Sequence, residues 1–413
     1  MQSQAAHDVN LASLPPLGDG LLAETNRLRD HDPIFWSEES QCWLVSGHEA
    51  VTEGFSGSLP LSSEFFPESI YAIMPKEELD ARCPNSVKYM SLISTNRDGA
   101  AHARMRRLLI KAFNPKLVES LRPYVRERVA YLLDIAEQRR DMEFHEEISR
   151  MLPGAVILRL LGMDESYLAR LKGWADGVAA ALIAYAPEPE CMYRLEDVVN
   201  DMLEVFHREI EDRKRNPRND LITYMVEASE DGDKLTQDEM LGSLIQMIIA
   251  GHDTTSNSLS FGVRAMAKYP QAWEAWRANP EKSVEYAIEL MRYIAMSASM
   301  PRIVAEDFDW HGKHLKKGEF VILLIAGGNR DPLVYDNPEN LDFNHRNDRA
   351  LTFGPGMHHC IGHLLAKLQL GEFFKALVQR FDSVEVLEEP QFTTGINFRS
   401  LEALQVRFHP CGG

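Results

Sequence analysis

One short segment of the chain gathers residues able to hold a metal. Phe353-Gly-Pro-Gly-Met-His-His-Cys-Ile-Gly362 sets a single cysteine, Cys360, after a turn built from Gly354, Pro355 and Gly356 and at the opening of a helical run. Glycines let backbone N–H groups turn toward a buried anion, and the positive end of a helix lowers the pKa of a nearby thiol. Such a cysteine is kept as thiolate, and thiolate is a metal ligand. An inert, buried cysteine in a Gly-rich turn fits the same residues. Zinc is a third reading, because His358, His359, Cys360 and His363 lie close together. Their spacing is too tight for four side chains to converge on one tetrahedral ion.

Three further groups have chemistry in them. Ala250, Gly251, Thr254 and Thr255 share one face of a helix by its 3.6-residue period, and small residues there leave room for something flat and large. Threonines at such a place can bond the preceding turn's carbonyls and open it locally; a plain kink near Gly251 is the alternative. Glu289 and Arg292, at i and i+3, can pair directly, which on a surface is worth under ~1 kcal/mol. His102, Arg106, Arg302 and His358 are basic side chains from separate segments, each by itself a solvated surface charge.

The elements that must position these residues are mostly helical. Thr236 and Glu239 form the S/T-x-x-E capping pattern, and no proline follows until Pro270, which predicts a helix of about 33 residues. A shorter helix is expected from Glu281 to about Ala295, and a last long one from about Cys360 to Phe381. The pattern from Ala100 to Ile183 is helical, as is Tyr193 to Arg215 before the Asn216-Pro217 stop, with a surface connection over Ala184 to Cys191. Pro33 to Trp36, Cys42 to Ser46 and Glu319 to Leu323 read as short strands. Residues 62–97, with Pro67, Pro75 and Pro84, read as a long irregular loop. The fold class is therefore mostly α with a small β region. With no linker or internal repeat, a single domain is expected over 31–413 after an N-terminal extension over 1–30.

Composition bounds the function. The 413 residues are 45% apolar and 26% charged, ordinary globular values, and 44 basic minus 62 acidic residues leave a net charge of −18. That excludes a general binder of nucleic acid or anionic membranes. Five scattered cysteines (Cys42, Cys83, Cys191, Cys360, Cys411) argue against a disulfide framework and for a reducing compartment. No secretory signal is read in Met1 to Leu28, and the longest apolar stretch, Met240 to Ala250, is shorter than the ~20 residues of a membrane span. A cytoplasmic protein without a membrane anchor is expected. Within this acidic chain, Gly99 to Val118 carries Arg104, Arg106, Arg107, Lys111 and Lys116 and no acidic residue. It is either a docking patch for an acidic partner or a solvated helix face.

The cysteine segment resembles the haem-binding signature of the cytochrome P-450 family, the haem-thiolate monooxygenases: F-x-x-G-x-[RH]-x-C-x-G, with Phe353, Gly356, His358, Cys360 and Gly362 at its fixed positions. Other marks of that family follow in order. They are His102-Ala-Arg-Met-Arg106, Ala250-Gly-His-Asp-Thr-Thr255, Glu289-Leu-Met-Arg292, Arg302 and Asn329-Arg-Asp-Pro332. The resemblance runs from about Pro33 to Arg407.

It implies a haem b between the long central helix and the cysteine loop with its C-terminal helix, Cys360 being the axial iron ligand. It assigns cofactor binding to His102, Arg106, Arg302 and His358 at the propionates and to Phe353, Gly354, Gly362, Ala250 and Gly251 around the macrocycle. Asp253 and Thr254 become the acid–alcohol pair that supplies protons for oxygen activation, with no role for His252 between them. Glu289 and Arg292 become buried structural partners of the loop before Cys360. The implied substrate pocket is lined by Met90, Leu92, Ile93, Val178, Met247, Ile249, Ala250 and Met300, with Ser297 and Ser299 as polar handles, and suits a lipophilic molecule. Dioxygen would be co-substrate, and electrons would come from NAD(P)H through ferredoxin reductase and ferredoxin to a monomer. Two alternatives are a peroxide-driven peroxygenase, which the Asp253–Thr254 pair argues against, and a non-catalytic haem-thiolate ligand carrier or sensor. The sequence departs from the family pattern at Ala350, where a histidine is common, at Lys367 and Gln369 in Leu365-Ala-Lys-Leu-Gln369, and in Asp98-Gly-Ala-Ala-His102.

Overall fold

The computed structural model describes residues 19–66, 74–182, 189–230, 232–345, 347–392 and 397–412. They are rich in helix with small sheets, as the sequence predicts, and form two compact units. The first unit is Met1–Ser62, Arg126–Ser149 and Thr254–Gly413; the second is Ser63–Val125 and Arg150–Asp253. Of the expected extension over 1–30, residues 1–18 lie outside the described residues, and the remainder belongs to the helix Asp19–His31.

The central helix, Gln237–Lys268, is shared by the two units and has 32 residues, about 48 Å at 1.5 Å per residue. Its start is the capping box read from the sequence. The Thr236 N–H donates to Glu239 Oε2 (2.8 Å), and the Glu239 N–H donates to Thr236 Oγ1 (3.2 Å). It ends because Pro270, whose ring cannot continue a helix, is the first residue of the next one, Pro270–Ala278. Helical structure is continuous through Gly251–Thr255.

In the first unit a five-stranded sheet orders Ile34–Ser37, Cys42–Val45, Phe320–Leu323, Met300–Val304 and Leu61–Ser62. The strand Phe320–Leu323 runs parallel to Cys42–Val45 and antiparallel to Met300–Val304, setting Val321 opposite Arg302. Val45, Val51, Val321 and Leu323 are fully buried in the core it shares with the helix His48–Ser56. A second sheet pairs Phe381–Val386, Gln405–Pro410 and Asp141–Glu143. The cysteine segment leads into the helix His363–Arg380, and Trp276 of the helix Pro270–Ala278 bridges it to the helix Ser283–Ile294 through aromatic rings. Trp276 lies 5.3 Å from Phe374 and 5.6 Å from Tyr286, and Tyr286 stacks on Phe343 at 4.2 Å. Gly262 of the central helix fits here because a Cβ would stand 2.5 Å from Phe374 and 3.0 Å from Leu290. The close approach fixes the C-terminal half of the central helix to both neighbours.

In the second unit the central helix is tied to the segment before it. Gln246 Oε1 accepts from the Ser94 N–H and hydroxyl, both at 2.9 Å, and Tyr89 donates to Asp238 (2.9 Å). The helix Leu168–Leu182 lies on Pro189–Arg215 through Trp174 and Phe206, whose rings are 5.7 Å apart, and the Trp174 N–H is satisfied by Asp201 (2.6 Å).

Two sequence expectations are corrected. Residues 62–97 are not one irregular loop: Lys76–Arg82 and Pro84–Leu92 are helices, and Ser94–Asn96 is a 3-10 turn. Pro75 and Pro84 stand just before and at the first helical positions, where a proline starts a helix instead of breaking it. Glu196 then accepts from the Asn85 and Ser86 N–H groups (3.2 and 2.7 Å) at that helix's N-terminus. Residues 67–73, with Pro67, lie outside the described residues, as do 184–188 of the expected surface connection. The second correction is that the last helix starts at His363 with Gly362 as its N-cap, so Cys360 precedes it by three residues instead of opening it.

Candidate functional site

The cysteine loop is held from both sides by the first unit. The Cys360 N–H donates to Phe353 O (2.8 Å), closing the loop on itself. Gly354 and Gly356 adopt φ of +64° and +81°, which glycine reaches at no steric cost. Position 356 also admits no side chain, since a Cβ would lie 2.2 Å from the Phe55 carbonyl oxygen. Phe55, on His48–Ser56, touches a second predicted residue: the buried Arg302 guanidinium stands 5.2 Å over its ring. The structure thus brings Arg302 and the cysteine loop onto one phenylalanine, for which the sequence carried no signal.

Behind the loop, Glu289 and Arg292 are fully buried, paired at 2.7 and 2.9 Å. Arg292 also donates to the carbonyls of Asn329 (2.8 Å), Pro338 (2.9 Å) and Asn340 (2.9 Å), and Glu289 accepts from the Asp342 N–H (3.1 Å). Asn329 passes this constraint on, its side chain accepting from the Leu351 N–H at 2.8 Å, two residues before Phe353. Asp331 of the same Asn329–Pro332 motif accepts from the His48 N–H (2.9 Å) at the start of the helix that carries Phe55. The motif is a junction between the buried pair, the cysteine loop and the Phe55 helix.

The cysteines separate by environment. Burial pushes the thiols of Cys42 and Cys83 up to about 12 and about 11, which leaves them neutral at pH 7. Cys360 is exposed at its loop, with Gly362 beside its sulfur: a Cβ there would be 3.9 Å from Sγ. Lys367, one turn into the following helix, has its Nζ 5.0 Å from the Phe353 ring centre. Burial lowers its pKa, against the opposing pull of Cys360. A cation that interacts electrostatically with the sulfur favours its thiolate form. Among the described residues no three His, Cys, Asp or Glu side chains are placed to hold a metal ion by themselves.

The other site residues lie as follows. His102 is buried and Arg106 half-buried, one turn apart on the helix Gly99–Ala112 of the second unit. Ala250 is exposed in mid-helix, with Met247, Gly251, Asp253 and Thr254 partly accessible, while Ile248 and Thr255 are buried. Gly251 serves close packing, since a Cβ would meet Ile157 at 3.0 Å. Met90, Ile93 and Val178 are buried; Leu92, Ile249, Ser297 and Met300 are half-buried. Ser299 is fully buried and donates to Asn397 Oδ1 (3.1 Å), so it is a structural hydroxyl and not a substrate handle. Arg104 of the basic island is committed to Glu239 (2.7 Å) and Asp233 (2.5 Å), and Lys111 donates to Ser229 O (3.2 Å). Two of the island's five cations, Arg104 and Lys111, therefore serve the fold.

The profile of the cytochrome P450 family matches residues 188–397. The cytochrome P450 CYP107DY1 of Priestia megaterium is 33% identical over 313 residues, 75% of each chain. This chain belongs to the cytochrome P450 family. The biotin biosynthesis cytochrome P450 of Bacillus subtilis is 30% identical, covering 83% of this chain and 88% of its own. Among solved structures, P450BioI in complex with hexadec-9Z-enoic acid ligated acyl carrier protein superposes with a TM-score of 0.85 at 28% identity, covering 94% of this chain and 98% of that one. The protein is thus a haem-dependent P450 monooxygenase, and no helix among the described residues is long and apolar enough to cross a membrane.

The residues of the first unit fit a haem: one accessible sulfur stands on a glycine-shaped loop, and a buried arginine is fixed beside that loop.

Proposed function

We propose that this P450 inserts one atom of dioxygen into a C–H bond of a lipophilic small molecule, with two electrons drawn from NAD(P)H through ferredoxin reductase and ferredoxin. The observation that carries it is the Asp253–Thr254 pair, a carboxylate and a hydroxyl held on an unbroken helix beside the exposed Ala250. Haem, when bound, supplies the oxygen activation and the one-electron chemistry that side chains lack. Cys360 would hold its iron through sulfur, and Arg302, His358, His102 and Arg106 would meet its propionates with charge-assisted hydrogen bonds. Asp253 exchanges protons with water, and Thr254 holds a proton or a water at Oγ for delivery. Met90, Leu92, Ile93, Val178, Met247, Ile249, Ala250 and Met300 would give the substrate an apolar wall, with Ser297 to orient it. Among lipophilic classes, long-chain fatty acyl groups are the first to try, given the ligand of P450BioI.

The experiment is a spectral titration of the purified holoenzyme with fatty acids, steroids, terpenoids and aromatics, followed by turnover of whichever shifts the haem spectrum. Thr254→Ala is expected to bind that compound as tightly as the parent, since one hydroxyl and one methyl are lost. It should still consume reductant while releasing more hydrogen peroxide and several-fold less product. Equal product per reductant in the two enzymes would remove Thr254 from the proton path.

The electron partner is tested at exposed basic positions of the island. Charge reversal at Arg107 and Lys116 should slow reduction by an acidic ferredoxin about tenfold at low ionic strength, with the difference shrinking as salt screens it. Reduction rates that match the parent's at every salt concentration would make the island a solvated helix face.

A further inference from the structure

His252, between Gly251 and the acid–alcohol pair, stands at a position to which the family pattern gives no role. In the structure it is 1% exposed, with its ring edge beside Gly154: a Cβ at 154 would lie 3.5 Å from Cδ2 and 3.7 Å from Nε2. Gly154 belongs to Met151–Leu161, a helix whose Leu152, Ala155, Val156 and Leu158 are all fully buried, so the imidazole is packed against an apolar element. A polar ring in such a place needs its nitrogens satisfied. Nδ1 lies 2.7 Å from Asp253 Oδ1, and the Asp253 side chain is 20% exposed. A carboxylate oxygen accepts, so the 2.7 Å contact is a hydrogen bond when Nδ1 carries the ring's proton.

The contact joins neighbours on a helix, whose side chains leave the axis about 100° apart and do not ordinarily face each other. It constrains the Asp253 rotamer to the side of the helix that His252 occupies. Proton exchange works at a set distance and direction, and a carboxylate held in one rotamer keeps to it.

We propose that His252 is a positioning residue: its Nδ1–H holds the Asp253 carboxylate in one rotamer, and thereby sets the acid of the Asp253–Thr254 pair for proton delivery. This rests on the oxygen-inserting reading above. His252 itself touches neither substrate nor haem in this account. It acts through Asp253.

Two substitutions separate the hydrogen bond from the packing. His252→Asn puts an amide N–H near the place of Nδ1–H, whereas His252→Phe keeps the ring's bulk and removes the donor. The first measurement needs no turnover. Nitrogen-15 NMR of histidine-labelled holoenzyme, reduced and saturated with carbon monoxide, should show His252 carrying a proton on Nδ1. The second is turnover of a compound that shifts the haem spectrum. In His252→Phe, kcat for product should fall at least about tenfold, toward the roughly 100-fold that a 1 Å misplacement can cost, with the spectral dissociation constant unchanged and peroxide release raised. His252→Asn should recover most of the product rate. A bare Nδ1 in the NMR spectrum would overturn the proposal. So would wild-type coupling in His252→Phe, or equal losses in both variants, which would make the ring a packing element. If the parent enzyme turned over no compound, the oxygen-inserting reading would fail, and the NMR measurement would still decide the hydrogen bond.

Discussion

Cys360→His, reduced and exposed to carbon monoxide, should lose the red-shifted absorption band that marks a haem held by thiolate, and its product formation should fall by at least about 10²-fold. The substitution exchanges an anionic sulfur donor for a neutral nitrogen, and with it goes the electron density that sulfur pushes onto iron. The drop is on the order of what removing one strong electrostatic stabiliser costs an enzyme. Three other cysteines are poor substitutes. Cys42 and Cys83 are buried thiols whose pKa values, about 12 and about 11, leave them neutral, and Cys411 also has its thiol raised, chiefly by burial. The loop should keep its shape, because Gly354, Gly356 and the Cys360 N–H to Phe353 O bond depend on backbone and not on sulfur. The variant should therefore fold, which makes the spectrum a clean readout. Retention of the thiolate band would mean that another residue is the ligand.

The sequence carried this site where its signals were local. A capping box, a proline-free interval and Pro270 were enough to place the central helix within a residue of its observed length. Glycines and a cysteine within ten residues were enough to read the loop. What stayed hidden depends on distant parts of the chain. Glu289 and Arg292 read as an ordinary i,i+3 pair, and only the fold shows that their partners are carbonyls 37 to 48 residues away. Phe55 reads as one more core aromatic, yet its carbonyl fixes Gly356 and its ring underlies Arg302. Prolines misled the reading of 62–97, because a proline at a helix start and a proline in a loop look alike without the turn that follows. Ser299 looked like a polar handle until Asn397 took its hydroxyl, and His252 looked inert until its ring was found against Asp253.

The other large effect belongs to Arg292. Arg292→Ala should cost the first unit about 3–5 kcal/mol, because it leaves the Glu289 carboxylate buried without its cation and three carbonyls without their donor. An exposed pair at this spacing would cost under ~1 kcal/mol, so the measurement separates the two readings by several-fold. Arg292→Lys should fall between. An ammonium has three donors on a flexible stem, and it cannot match a planar fork that reaches Glu289 and the Asn329, Pro338 and Asn340 carbonyls at once. Glu289→Gln should be the mildest, since the arginine keeps its three carbonyls. The damage should also be directional. Asn329 bonds both Arg292 and the Leu351 N–H, so losing the guanidinium should loosen 329–345 first and then the cysteine loop. Amide hydrogen exchange is the measurement that sees this, because it reports local opening below the global transition. Faster exchange over 329–353, with unchanged exchange in Cys42–Val45, is the expected pattern. Thiolate-bound haem should be lost in the same order, Arg292→Ala before Arg292→Lys before Glu289→Gln. If exchange in 329–353 were unchanged in Arg292→Ala, the pair would be doing no more than bridging one turn of its own helix.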